Sequence, residues 1–389
     1  MEQSFAQAVD RSTTASTKWL RYAGRDILPM WVADTDFPAA PEVLRALHRR
    51  VEHGVFGYTE VPESLLEAGA EYLDRRLDLP APPQAQVWTP GLVCTLSAVA
   101  LMLRDSGIDR LGTTLPIYAP FHQGPPGWGL RMQYLPLELV DNRWVPDLNQ
   151  FREQVRDGLR AFFLCNPQNP GGTVWRRQEL VEFAEICSEG GVLVCSDDVH
   201  CDLIIDPSVE YVSYASTGDH ARECSITLVS PSKAFNLAGL GCALAVVEDQ
   251  KLRRSLRKVL RQTVPHPNLL GFAAAEAAWR FGWGWFEGQL EYLRGNERLL
   301  REGLNAVPGI EVAPLEATYL SWADCRGLAD YGVEPSELMA WFEAAGVGPS
   351  PGAEFLREGF ARFNFGMHRS LIKQAVERVQ AAAGRLPLK

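Results

Sequence analysis

"SITLVSPSKAFNLAGLGCALAVV", residues 225–247, places a lysine, Lys233, between two apolar runs typical of buried strands. The chain of 389 residues has only six lysines, and Lys233 alone follows a strand-like run and precedes a glycine-rich one. A lysine here is either a loop residue with its ammonium group in water or a lysine desolvated in a pocket. In the second case burial lowers the pKa, so that the amine reacts with a carbonyl group. The rest of the chain must distinguish the two.

Composition and charge limit the class of protein. Hydrophobic residues make up 46% and charged residues 22%, which is ordinary for a globular chain, and the length predicts a large domain plus a smaller one. The formal net charge of −10 argues against nucleic acid or an anionic membrane as a partner. No apolar run has the length of a membrane span, and "MEQSFAQAVDRSTT" lacks the pattern of a signal peptide. We therefore expect a cytoplasmic protein.

The eight cysteines favour the same compartment. Several lie within strand-like runs such as "AFFLCN" and "GVLVCSDD", where cysteine behaves as a small hydrophobic residue. No CxxC pair occurs, so we expect reduced thiols and no metal site.

Between residues 85 and 285 short apolar runs alternate with helical stretches. "RAFFLCNP", "GVLVCSDD", "SITLVSPS" and "GCALAVVED" read as strands, and "RRQELVEFAEICSEG" and "QKLRRSLRKVLRQ" as helices. Buried strands separated by helices predict a three-layer α/β domain with a mainly parallel sheet, which we place at residues 45–285. A long helix ("GWFEGQLEYLRGNERLLREGLNAV") and short alternating runs follow. They predict a smaller α+β domain of residues 1–44 and 286–389.

Functional side chains follow the predicted strands. Asn169 comes after "AFFLC", Asp197 ends "GVLVCSD", Lys233 follows "SITLV", and Gly91 precedes a helical stretch. Open α/β sheets bind ligands at the carboxyl ends of their strands, so we expect these groups on one edge. A lysine, a carboxylate for the ring nitrogen, an amide for the phenolic oxygen and a helix N-terminus for the phosphate are what pyridoxal 5'-phosphate needs.

With these motifs the sequence resembles a fold-type I pyridoxal-phosphate enzyme of the class I/II aminotransferase superfamily. Within it the chain is most similar to the cystathionine β-lyase/cystalysin-like branch, the C–S lyases. The resemblance extends from residue 30 to 366 and rests on "MWVADTDFPAAPEVLRAL", "VEHGVFGYT", "WTPGLV", "LCNPQNPGGTVW", "SDDVHCDLI", "SPSKAFNLAGL" and "FARFNFG".

The resemblance implies a role for each matching residue. Lys233 would bind the cofactor and later carry the substrate Cα proton, while Asp197 would pair with the pyridinium nitrogen. Asn169 would donate to the phenolic oxygen, and Tyr118 would lie flat against the ring; both would also contact the substrate. Arg362 would bind the α-carboxylate of an amino-acid substrate as a bidentate fork, a geometry that lysine does not supply.

The phosphate would lie against the hydroxyls of Ser230 and Ser232 and the backbone of Gly91, Leu92 and Val93.

Tyr58, in "FGYT", would reach the phosphate of a neighbouring subunit, which implies a homodimer with shared active sites. His200, three residues after Asp197, would either tune the region of the phenolic oxygen or fill a core hydrogen bond. Other interpretations stay open: Tyr118 as a core aromatic, Tyr58 as a strand-edge residue, and Arg362 as a surface ion-pair partner. An unpaired arginine within "ARFNF" would, however, be costly. Asp198 and Asp202 are expected to be structural.

The chain departs from the branch on both sides of Tyr118. "SGIDRLGTTLPIY" stands where the branch has "PGDGVLVQTPVY", and "HQGPPGWGLRM" replaces a polar stretch. Asp198 stands where glutamate is common and Thr173 where arginine is common. We expect the first two changes to lie over the substrate face of the cofactor. They favour a bulky cysteine conjugate, such as one from antibiotic biosynthesis, as the substrate.

The leading hypothesis is a C–S β-lyase that acts on cystathionine or an S-substituted cysteine and releases a thiol, pyruvate and ammonia. Transamination, or decarboxylation to an aldehyde, would use the same residues. Some members of the branch bind a transcription factor, and no docking surface for one can be read from the sequence. If the chain were an α/β binding protein without a cofactor, the presence of Lys233 and Asp197 after neighbouring strands would be a coincidence.

Overall fold

Thirteen strands form two sheets in the part of the chain that this computed structural model describes, residue 5 and residues 7–387. The strands are β1 (Leu28–Met30), β2 (Gln86–Thr89), β3 (Arg110–Leu115), β4 (Arg131–Val140), β5 (Arg143–Pro146), β6 (Ala161–Cys165), β7 (Leu193–Asp197), β8 (Ser225–Val229), β9 (Ala243–Val246), β10 (Glu311–Val312), β11 (Leu320–Asp324), β12 (Val347–Pro351) and β13 (Phe360–Asn364).

Helices form at the three stretches for which the sequence predicts them, "RRQELVEFAEICSEG", "QKLRRSLRKVLRQ" and "GWFEGQLEYLRGNERLLREGLNAV", and the ends of helices have local causes. Asp249 caps a helix by accepting the backbone N–H of Leu252 at 2.6 Å, and Gly191 ends another in the left-handed region. The helices are α1 (Thr17–Leu20), α2 (Pro41–Glu52), α3 (Glu63–Leu77), α4 (Leu92–Asp105), α5 (Ala119–Gly127), α6 (Leu148–Arg156), α7 (Arg177–Gly190), α8 (Asp219–Glu223), α9 (Pro231–Ala234), α10 (Gln250–Thr263), α11 (Leu269–Phe281), α12 (Trp283–Asn305), α13 (Leu338–Ala344) and α14 (Arg369–Ala383).

The larger sheet has eight strands in the order β2-β9-β8-β7-β6-β3-β4-β5. Its central strands, from β8 through β7, β6 and β3 to β4, pair in parallel. The edges are antiparallel, with β9 and β2 on one side and β5 on the other. The predicted mainly parallel sheet is confirmed.

Helices cover both faces of this sheet. Along β6, Phe162 packs in one cluster with α6 and α7, whereas the adjacent Phe163 packs in another with α4 and α10. Successive side chains of a strand point to opposite faces, so the continuous apolar run of β6 reflects burial on both sides. This is the predicted three-layer arrangement.

The smaller sheet has five strands in the order β1-β12-β13-β11-β10, and α12 packs against α14 beside it. The N-terminal strand β1 pairs in parallel with β12, so the segment before α2 joins the carboxyl-terminal part of the chain, as predicted.

The predicted domain boundaries at residues 44/45 and 285/286 fall inside α2 and α12. α2 packs against α11, so its first turn belongs with the helices that precede α12. The division into 45–285 and the remainder stays a prediction, and residues 1–4, 6, 388 and 389 of the expected small domain lie outside the described residues.

Within the described residues, the helices are all too short or too polar to cross a membrane. The eight cysteines are free thiols, and the same part of the chain holds no cluster of side chains suited to a metal ion.

Candidate active site

A cavity of about 500 Å³ lies at the carboxyl ends of β6, β7 and β8. Ten of the twelve predicted site residues line it: Gly91, Leu92, Val93, Tyr118, Asn169, Asp197, His200, Ser230, Ser232 and Lys233. The parallel sheet brings them together because the residues that follow its strands all emerge on one edge.

Lys233 lies in the short helix α9, directly after β8. Its Nζ donates to the backbone carbonyl of Ala33 at 2.7 Å. Burial, reinforced by the positive charge of Arg362, lowers the pKa of Lys233 to about 8, although Asp34 and Asp197 oppose the shift. The amine therefore exchanges protons close to neutral pH, unlike an exposed lysine.

Asp197 ends β7 and is buried, with one carboxylate oxygen accepting the backbone N–H of Val199 at 3.1 Å. Burial raises the pKa of Asp197 to about 7, and the neighbouring Asp198 adds to the rise. Lys233 acts in the opposite direction. A cation placed beside Asp197 would stabilise its carboxylate, so the site is suited to a protonated ring nitrogen.

Asp198 and Asp202 have partners that explain their burial. Asp198 accepts hydrogen bonds from the hydroxyls of Ser196 and Ser213, and Asp202 accepts from Tyr72 and Arg76. Neither lines the cavity.

Arg362 lies in β13 and is only 4% exposed. It donates to the side-chain oxygen of Asn169 at 3.0 Å and to the carbonyl of Trp31 at 2.8 Å, and its guanidinium lies 4.6 Å from the ring centre of Phe355. Its Nε has no hydrogen-bond partner, and no carboxylate of the described residues forms an ion pair with it. Burial lowers its pKa to about 10. A buried guanidinium without a carboxylate is a receptor for an anion.

Tyr118 follows β3 and donates its backbone N–H to the carbonyl of Asn169 at 3.1 Å, which joins two sides of the cavity. Burial raises the pKa of Tyr118. His200 also lines the cavity; its Nδ1 is buried without a partner, and burial keeps its pKa well below the usual range. A neutral His200 has one ring nitrogen that donates a hydrogen bond and one that accepts, and its two predicted roles stay predictions.

The first turn of α4 forms one wall of the cavity through Gly91, Leu92 and Val93. The amides of a first helical turn have no acceptor within the helix and attract anions. Ser230 instead caps α9, because its hydroxyl donates to the carbonyl of Cys242 at 2.7 Å and accepts the N–H of Ser232 at 3.1 Å. The phosphate-binding roles of Ser230 and Ser232 stay predictions.

Tyr58 does not line the cavity of its own chain. Its side chain is fully exposed, in a segment without regular secondary structure between α2 and α3.

The segment "GPPGWG" lies far from the site, and the expectation that it covers the substrate face is wrong. Tyr118 follows the carboxyl end of β3, and α5 then carries the chain back along the sheet. Trp128 follows α5, and Arg131, the first residue of β4, pairs with Arg110, the first residue of β3. The segment therefore lies at the amino ends of these strands and does not support a bulky substrate.

Sequence reasoning missed Tyr319 and Ala33. The buried hydroxyl of Tyr319 donates to the carbonyl of Ala33 at 3.0 Å, the same oxygen that Lys233 contacts. Tyr319 lies in the run "ATYLSW", whose alternation predicts only a strand. A backbone carbonyl leaves no signal in a sequence.

Comparison with known proteins gives consistent findings. The family model described as Aminotransferase class I and II matches residues 26–379. The cystathionine beta-lyase PatB of Bacillus subtilis (strain 168) is 30% identical over 389 aligned residues, which cover 97% of this chain and 99% of PatB.

Two crystal structures are similar over nearly the whole chain. The structure of OvoB has a TM-score of 0.93 and 40% sequence identity, covering 98% of this chain and 99% of OvoB. The PLP-bound C–S lyase from Staphylococcus hominis has a TM-score of 0.88 and 28% identity, covering 97% of each chain.

The raised pKa of Asp197 predicts a pH dependence of stability in the ligand-free protein. The carboxyl loses its proton near pH 3.8 when unfolded but near pH 7 when folded, so the folded state holds more protons between these values. The free energy of unfolding should therefore fall as pH rises across this window. Asp197→Asn should reduce the fall by up to about 2 kcal/mol between about pH 5 and 7, measured by urea denaturation. Asp74→Asn, at an exposed carboxylate, is the control, and equal slopes in all three proteins would contradict the assignment.

Proposed function

This chain belongs to the aminotransferase class I and II family, as its sequence predicts, and we propose that it is a pyridoxal-phosphate-dependent carbon–sulfur β-lyase. Its substrate is cystathionine or another S-substituted cysteine. The reaction class is supported by the 30% identity to a cystathionine β-lyase over nearly both full lengths. The likeness to a C–S lyase with the cofactor bound supports it as well.

The residues of the cavity fit this cofactor. When bound, pyridoxal phosphate supplies an electron sink for negative charge at the substrate Cα. Lys233 would hold it covalently through its amine, and Asp197 would pair with the ring nitrogen. The first turn of α4 would hold the phosphate through its unpaired backbone amides. Asn169 and Tyr118, at the adjoining strand ends, would hold the ring.

The observation that carries the proposal is the buried guanidinium of Arg362 beside Asn169, next to the amine of Lys233. An amino-acid α-carboxylate is the anion that this arrangement accepts, because it forms two parallel hydrogen bonds with a planar fork. Binding also compensates the positive charge that burial leaves without a carboxylate partner. The α-carbon is thereby presented to Lys233.

Lys233 moves the proton. Once the substrate has displaced Lys233 from the cofactor, its free amine, with a pKa of about 8, would accept the proton from Cα near neutral pH and pass it to the departing sulfur. The C–S bond at Cβ then breaks, its electrons leave with sulfur, and the thiolate takes up a proton. Water converts the three-carbon remainder to pyruvate and ammonia.

A second copy of the chain completes each site. Tyr58 and the neighbouring Val55 and Phe56 are exposed, and the groove of about 960 Å³ beside them is lined by residues 56–60 and 265–270. An exposed apolar segment of this kind is typical of a protein interface. In a symmetric dimer, Tyr58 of each subunit reaches the phosphate of the other.

The reaction class is tested by product analysis with cystathionine and with small and bulky S-substituted cysteines. We expect a thiol, pyruvate and ammonia in equal amounts. Lys233→Ala should abolish both the covalent link to pyridoxal phosphate and nearly all turnover. A keto acid that retains the sulfur would indicate transamination and contradict the proposed β-elimination. Carbon dioxide together with an aldehyde would indicate decarboxylation and contradict it as well.

Arg362→Lys tests the carboxylate fork. The ammonium group of lysine is a point charge and does not replace two parallel hydrogen bonds. The free energy of transition-state binding derived from kcat/KM should therefore weaken by about 2 to 5 kcal/mol, mainly through a raised KM. Steady-state kinetics on an S-substituted cysteine measures the loss. Arg326→Lys, at an exposed ion pair with Asp324, is the matched control. An unchanged kcat/KM in Arg362→Lys would remove Arg362 from the site.

Complementation between two inactive variants tests the shared site. Tyr58→Ala and Lys233→Ala each damage a different half of the site, so a mixed dimer keeps one site with both residues intact. After unfolding and refolding together, about a quarter of the parent activity should return, since half of randomly formed dimers are mixed. Activity equal to the mean of the separate variants would contradict a site built from two chains.

A further inference from the structure

Residues 31–37, which we call the N-terminal strap, run from the end of β1 across the cavity. The carbonyl of Ala33 in this strap accepts from both Lys233 Nζ at 2.7 Å and the hydroxyl of Tyr319 at 3.0 Å. Lys233 makes this contact with its amine free, the state in which it would carry the substrate proton. Its four-carbon stem is flexible, so a fixed acceptor determines where the amine points.

Side-chain amides connect the strap to the segment that follows α9 and to the five-stranded sheet. Asn236, three residues after Lys233, accepts the N–H of Thr35 at 3.1 Å and donates to the carbonyls of Thr35 and Phe37 at 2.9 Å. Asn364 of β13 donates to two further strap carbonyls. A shift of the strap therefore changes the surroundings of Lys233 directly.

A buried cluster of charges holds the strap from the other side. Lys18 is 0% exposed, and its Nζ lies 2.9 Å from Asp36 and 3.9 Å from Asp34. Asp36 also accepts from Arg11 at 2.7 Å and from the indole N–H of Trp19 at 3.2 Å. Both carboxylates belong to the strap, whereas the donors come from the residues before it.

Stability alone does not explain this arrangement. Removing an ammonium group from water is costly, and an apolar side chain of similar volume stabilises a buried position as well as an ion pair or better. A buried ion pair does, however, determine one geometry, because any displacement leaves an uncompensated charge. Lys18 therefore restricts the strap to one position.

We propose that Lys18, through its ion pair with Asp36, is a positioning residue that holds the Ala33 carbonyl where the free amine of Lys233 needs its acceptor. This role rests on the proposed function, in which Lys233 binds the cofactor and carries the proton. Lys18 is not among the residues that line the cavity. It acts only through the strap.

The experiment measures how fast Lys233 captures pyridoxal phosphate, independently of turnover. Cofactor-free protein is mixed with pyridoxal phosphate and reduced with borohydride at timed intervals, and the Lys233 peptide is quantified by mass spectrometry. The variants are Lys18→Met and the double variant Lys18→Met/Asp36→Asn, which leaves neither charge of the pair buried alone. Glu297→Gln breaks a partly buried ion pair with Arg301 on α12 and serves as the control for the loss of an ion pair elsewhere in the chain.

Both Lys18 variants should capture the cofactor about tenfold to a hundredfold more slowly than the parent, because small misplacements of a reacting group have effects of this size. Their kcat should fall more than their KM rises. Glu297→Gln should keep the parental capture rate. Capture by the double variant within twofold of the parent would overturn the positioning role, whereas failure of the parent to capture pyridoxal phosphate at Lys233 would overturn the proposed function itself.

Discussion

The guanidinium of Arg362 joins the parts of the molecule from which the site is made. It projects from the five-stranded sheet, donates to Asn169 beyond the carboxyl end of β6 in the eight-stranded sheet, and donates to the carbonyl of Trp31 after β1. These two bonds bring both sheets and the N-terminal strap around one cavity. Its position also leaves a positive charge without a carboxylate partner, and in this way the contact between the sheets becomes a receptor for an anion.

Burial is the largest cause of the pKa shifts of Lys233, Asp197 and Arg362. Burial makes the charged form of each group less stable than it is in water, and this cost opposes folding. The proposed ligands, a substrate carboxylate beside Arg362 and a cationic ring beside Asp197, would relieve two of these conflicts. Buried charges that only a ligand compensates are a common property of functional sites.

Local patterns in the chain predict much of this site. Asp197, Lys233 and the first turn of α4 were found because each follows or precedes an apolar run, and a parallel sheet collects such positions on one edge. The expectation about "GPPGWG" was wrong because it assumed that residues close in sequence are close in space. The segment is close to Tyr118 in sequence, but a helix of nine residues such as α5 displaces the chain by about 14 Å along its axis. Closeness in sequence therefore does not predict closeness in space when a helix lies between two residues.

The sequence by itself determined the class of fold, the order of the main strands and helices between residues 161 and 263, and ten of the residues that line the cavity, because burial on two faces and strand ends have local signatures. Only the tertiary structure decided that Ser230 caps α9, that Lys18 is fully buried against Asp36, and that Ala33 and Trp31 present their carbonyls to Lys233 and Arg362. Every residue carries a carbonyl, so its use as an acceptor depends on the path of the backbone and not on the identity of the side chain.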